Sequence, residues 1–176
     1  MTKTNTLNLI YISIIASLCF IINQHAAIYQ CASIFTGTLV VANTYLLQNK
    51  SSDAYKVLLA GISMSIPLYF IMGVSNTAII KISIASIVSL AITGSLSIYL
   101  TNFLKNTYQF SLALFASLAI SAVADGFIMS SYYLAFDVFT MSKTISILYK
   151  ELAFKMLYAS IIAGVIYSIE LINQKA

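Results

Sequence analysis

Apolar residues along this 176-residue chain do not alternate in short strands. They gather into six runs, at about 7–28, 31–47, 57–72, 78–103, 110–134 and 151–172. A helix needs ~20 predominantly apolar residues to cross the ~30 Å hydrocarbon core, and these runs approach or exceed that length. Strands of a membrane barrel would read as ~10-residue alternating segments instead. The pattern predicts an all-α fold: one polytopic membrane domain over residues 1–176, a bundle of six transmembrane helices. Between the fifth and sixth runs, Phe136 to Lys150 (FDVFTMSKTISILYK) alternates polar and apolar groups. That stretch is expected to lie along the interface as a short separate segment.

One position breaks the apolar pattern. In the fifth run, LALFASLAISAVADGFIMSSYY (Leu112 to Tyr133), Asp125 is the single charge. An Asp at the centre of a spanning helix costs about 2.5–3.5 kcal/mol on insertion scales, so it must face protein, water or a partner charge. Stepping back by fours gives Ser121, Ser117 and Ala113, a small and hydroxyl-bearing face on which Ser121 is expected to donate to the carboxylate. The fourth run repeats Ala85, Ser89, Thr93 and Ser97 at the same spacing. The two small faces are expected to pack together. Gly61 and Pro67 fall in the third run, where the proline bends a helix without by itself defining a broken transporter helix.

Composition agrees with a lipid solvent. The chain is 60% hydrophobic and 8% charged, with mean hydropathy +0.94, whereas soluble domains carry about 25% charged residues. The net charge of +4 comes from nine lysines, no arginine and five acids, spread over loops rather than gathered in a patch. That distribution argues against nucleic acid as a partner. With both termini on one side, Lys3, Lys50, Lys56, Lys105 and Lys175 share that side, and Lys81, Lys143 and Lys150 share the other. The excess predicts cytoplasmic termini in a bacterial inner membrane. The first run is expected to be a retained signal-anchor helix rather than a cleaved leader. Cys19 and Cys31 match no metal or redox spacing, and His25 has no second His to share a metal. No cluster suits nucleophilic or metal chemistry, so no enzyme, metal site or cofactor is expected.

Lys155 begins the sixth run as Asp125 approaches the end of the fifth. At 1.5 Å per residue, the two lie about 10 Å and about 8 Å below the same outer face. They are expected to pair, which offsets two costly buried charges. A fixed structural ion pair and a solute-binding pair fit this spacing equally well. In the binding case Asp125 accepts hydrogen bonds or a positive charge from a solute, or carries a coupling proton, and Lys155 lets go when the substrate arrives. Asn23 and Gln24, ending the first run on the same side, would complete a polar cavity. Phe127, Tyr132 and Tyr133 would be placed to stack on a flat solute, although aromatics in such helices more commonly pack or line the interface.

Several strings resemble the VUT family of six-helix bacterial membrane proteins, the queuosine precursor transporters. KISIASIVSLAITGSLSIYLTNFLK (Lys81 to Lys105) is similar to the family's fourth span, with its basic residue and its Ala85–Ser86 pair. ISAVADGF (Ile120 to Phe127) looks like the family's Ser-Gln-x-x-Asp stretch, with Ser121 and Asp125 on the matching positions. SSDAYKVLLAG (Ser51 to Gly61) resembles the loop opening the third span, and Lys155 matches the Lys that begins the last. The chain departs from the pattern at Thr36, at Asn43 in place of the second-span Asp, and at Ala122 in place of the Gln. The resemblance implies import of a 7-deazaguanine queuosine precursor, with Ser86 and Asn43 joining Asp125, Lys155, Ser121, Asn23 and Gln24 around the solute. A carboxylate can accept such a base's amide and amino donors in a bidentate fashion. Two other readings stay open. One is a substrate-binding subunit of an energy-coupling-factor type vitamin importer, requiring energising subunits. The other is a non-transporting accessory protein. The expected partners are the bilayer, a small-molecule substrate and either energising subunits or further copies of the chain.

Overall fold

A computed structural model of the chain describes residues 54–56, 58–59, 62–63 and 77–175. The first two expected spans and most of the third, with Asn23, Gln24 and Asn43, lie outside the described residues. Those described form helices and no strand. Three are long: α1 (Thr77–Leu104), α2 (Phe110–Ala135) and α3 (Met141–Lys175). Each is long and apolar enough to cross a membrane. The fourth and fifth expected spans coincide with α1 and α2 within a residue or two.

Short connections, 105–109 and 136–140, make successive helices antiparallel neighbours. The Lys81 ammonium at the start of α1 donates to the Phe136 carbonyl at 3.1 Å, at the end of α2. The second connection is a Schellman turn. Val138 N–H donates to Tyr133 O at 2.9 Å and Asp137 N–H to Leu134 O at 3.4 Å, with Asp137 at φ 51°. Asp tolerates that left-handed conformation better than most side chains.

The sixth expected span is corrected at its start. Residues 141–150, expected as part of a separate interfacial segment, are the first turns of α3. Their polar groups sit at helical spacing, so the apparent alternation hides one face: Thr144 is buried, while Met141, Lys143 and Tyr149 are exposed. At 35 residues α3 is about 52 Å long, well beyond the ~30 Å hydrocarbon core.

The packing places hydroxyls inside and large apolar groups outside. Ala85, Ser89, Thr93, Ser97 and Thr101 of α1 are buried, as are Ala113, Ser117 and Ser121 of α2. The expected small-residue contact between these helices is therefore formed. One hydrogen-bond chain runs across it: Thr101 and Ser117 hydroxyls are 2.5 Å apart, and Ser117 donates to Leu114 O at 2.9 Å. Because Ser117 has one proton and a carbonyl can only accept, Thr101 is the donor between the two hydroxyls. Outward, α1 presents Ile84, Val88, Ile92, Tyr99 and Phe103, and α3 presents Leu157, Ile161, Val165 and Ile169. Water would not tolerate those stripes, and hydrocarbon does. The described helices are those of a membrane-embedded protein.

On its other side α2 meets α3 through Leu114, Leu118, Ala159 and Ile162. Higher up, a Cβ added at Gly126 would stand 2.6 Å from Leu148 Cδ1. Glycine thus lets α3 come close beside Asp125. Helical residues 54–56 and 58–59 lie against α1, where Leu58 fills the space over Gly94 and packs with Ile98.

Candidate functional site

Asp125 occupies α2 ten residues before its last residue, Ala135. Three residues matter around it, contributed by α1 and α3. From α1, the Ser89 hydroxyl donates to Asp125 Oδ1. From α3, the Lys155 ammonium donates to Oδ2 and forms an ion pair there. Lys155 also lies 3.5 Å from Glu151 Oε2, one helical turn earlier. The side chains of Asp125, Lys155 and Glu151 are only 17%, 14% and 14% exposed. Thr93 keeps its own hydroxyl on the Ser89 carbonyl at 2.8 Å, so Ser89 is the α1 donor to the acid.

The Asp125–Lys155 pair expected from the spacing is present, by a different geometry. Since α3 starts at Met141, Lys155 lies fourteen residues in while Asp125 lies ten from the matching end of α2. That offset is about 6 Å of helix rise. A lysine side chain on a helix leans toward its N-terminus, and its four-carbon stem spans the difference. Glu151, ten residues into α3, is the residue truly level with Asp125.

The apolar pattern alone does not single out Glu151, because it begins the sixth run, at the expected membrane edge. The available signal was the i, i+4 pair Glu151–Lys155, a spacing at which oppositely charged side chains meet on one helix face. Ser89 was likewise assigned to packing alone. The hydroxyl expected on Asp125 belonged to Ser121, and that expectation is corrected. Ser121 is buried, 8% exposed, and its Oγ has no partner among the described residues. On a helix, the side chain at i−4 shares the face of Asp125 but sits a full turn away. Ser86 is half-buried one turn before Ser89, and among the described residues it is not a partner of the carboxylate.

The aromatic candidates are also accounted for. Phe127 is 64% exposed and points away from the helix contacts. Tyr133 is buried edge-on against Phe139 at 5.1 Å, and Tyr132 lies 4.4 Å from Phe136. None of the three is placed to cover a solute at Asp125; Tyr132 and Tyr133 belong to an end cluster with Phe139, over whose ring Lys143 lies.

Chemically, the arrangement is a carboxylate held by one hydroxyl and one ammonium, with a second carboxylate sharing that ammonium. An enclosed and unpartnered hydroxyl lies one turn below. Such a group can exchange its donors for those of a solute without unpacking the helices. No protein-family model, curated protein or solved structure matches this chain.

Proposed function

We propose that the chain is a bacterial inner-membrane transporter importing a small heterocyclic molecule, a queuosine precursor of the 7-deazaguanine type. The observation carrying this reading is the Asp125 cluster itself. Three ionisable side chains and Ser89 are enclosed between helices whose outer faces are apolar. Ionisable groups inside a membrane are expensive, and where they occur they commonly mark a solute or ion path. The resemblance of Lys81–Lys105 and Ile120–Phe127 to the VUT family supplies the substrate class. In this reading the base offers N–H donors to Asp125 as Lys155 shifts to Glu151. Ser121 meets one of the base's polar edges. Six spans with cytoplasmic termini, and Asn23, Gln24, Asn43 and Ser86 as further lining residues, belong to the same proposal.

The test is tRNA analysis in a host that cannot make the precursor. Expression of this chain with added base is expected to restore the modified nucleoside, and Asp125→Asn is expected to abolish restoration while the protein remains inserted. Restoration by that variant equal to wild type would remove Asp125 from the path.

A second reading has its own observation. Ser160, Gly164 and Ser168 form an exposed small-residue stripe on α3, and a Cβ added at Gly164 meets nothing within 4 Å. A face of that kind suits close approach by another helix. It favours a binding subunit that works with energising partners, and co-purification of an ATPase module would decide for it.

A further inference from the structure

The cluster on α2 and α3 does not balance its charge. Two carboxylates, Asp125 and Glu151, share one ammonium, Lys155. Ser89, the contact from α1, is neutral. Fully ionised, the site carries one negative charge in excess at a depth of about 15 Å from the ends of α2 and α3. The one charged residue on α1, Lys81, is engaged at the Phe136 carbonyl near that end. The apolar runs at 7–28, 31–47 and 57–72 contain no Lys or Arg, and their one His is His25, near the end of the first. No lysine or arginine is written into those spans to supply the missing positive charge. An uncompensated carboxylate in hydrocarbon costs several kcal/mol even after relaxation, and groups in that position neutralise.

We propose that the site holds one exchangeable proton, carried on Glu151, and that this proton is the coupling ion of the transporter. The role as coupling ion rests on the import reading; the occupancy by a proton does not. Glu151 rather than Asp125 carries it because their partners differ. Asp125 has both the ammonium and the Ser89 hydroxyl, whereas among the described residues Glu151 has only Lys155, at 3.5 Å. A metal cation suits the site poorly. Hard cations take about six to eight oxygens, and here an ammonium stands between the two carboxylates. The buried Ser121 hydroxyl, unpartnered among the described residues and one turn from Asp125 on the same face, is a second polar group at the site. It provides a place for the water or solute group that delivers or removes the proton. The step balances simply: a hydronium ion on one side gives its proton to the Glu151 carboxylate and becomes water. With Asp125 occupied by solute and Lys155 released toward Glu151, that proton departs to water on the other side.

The experiment is infrared spectroscopy of the full chain in lipid vesicles at neutral pH, in H2O and D2O. Wild type is expected to show the C=O stretch of a protonated carboxyl, shifted in D2O. Glu151→Gln is expected to lose that band. Asp125→Asn is expected to lose it too, because one carboxylate then balances Lys155. This second variant serves equally if the first fails to insert. A protonated Glu170, nineteen residues further along α3, would keep its band in both variants and so cancels in the difference. A wild type without the band, or a difference spectrum lacking it for both variants, overturns the proposal. No uptake by wild type with the band present would sink the import reading alone. Uptake driven by sodium instead of an inward proton gradient would remove the proton as coupling ion.

Discussion

Replacing Ser89 by Ala would take from Asp125 the neutral one of its two described donors and leave the ammonium. Hydrogen bonds to charged groups are worth about 1.5–3 kcal/mol, so detergent-solubilised Ser89→Ala is expected to unfold at a lower temperature. Ser121→Ala removes a hydroxyl that bonds nothing among the described residues, so its stability is expected to match wild type within about 0.5 kcal/mol. A thermal-shift comparison of the two serines distinguishes them, and equal losses would show that Ser121 also holds the acid. Lys155→Met is the harsher change: it strips two buried carboxylates of their cation and is expected to cost about 3–5 kcal/mol. The same residues show what a sequence can and cannot disclose. Asp125 and Lys155 stood out because charge inside an apolar run is costly wherever the helix points. Which of two serines reaches the acid depends on helix rotation and on the neighbour across the contact. Neither is written in one helix's own spacing.

Between elements, the site depends on how closely α3 approaches α2. Gly126 follows Asp125 directly, and the atom a Cβ would meet is the tip of Leu148. A flexible tip can turn aside for one methyl, so Gly126→Ala is expected to be tolerated. Gly126→Ile adds a branched side chain that no rotation of Leu148 can clear. It is expected to part the helices and weaken the Asp125–Lys155 pair, lowering uptake more than it lowers insertion. Cysteines at Leu118 and Ala159, which share one buried cluster across the α2–α3 contact, would report the separation as slower cross-linking. Unchanged cross-linking and uptake in Gly126→Ile would mean that close approach at this level is dispensable. The α1–α2 contact was readable in advance because two four-residue repeats of small side chains leave few alternatives for packing. The start of α3 was not. Polar residues in 141–150 looked like an interfacial stretch, and only the continuous helix shows Thr144 turned inward and the lysines outward.

For the whole molecule, what matters is which side of the membrane lies nearer the acid. Asp125 is ten residues from the Ala135 end of α2 and fifteen from the Phe110 end, about 15 Å and about 22 Å of helix respectively. The 136–140 connection therefore marks the shorter way in. In the proposed orientation, with the termini and Lys105 cytoplasmic, that shorter path faces the exterior, as an importer loading from outside requires. Two exposed positions report the orientation: Asn106 in the first connection and Ser142 in the first turn of α3. In a background with Cys19 and Cys31 replaced by Ser, Ser142→Cys is expected to react with a membrane-impermeant maleimide on intact cells. Asn106→Cys is expected to react only after the membrane is opened. Reversed labelling would place the acid nearer the cytoplasm and favour export, or loading from inside, over import. Labelling of both from one side would mean that α2 does not cross the bilayer, and a buried charge cluster on a helix lying at the surface would have water for a neighbour rather than a solute path.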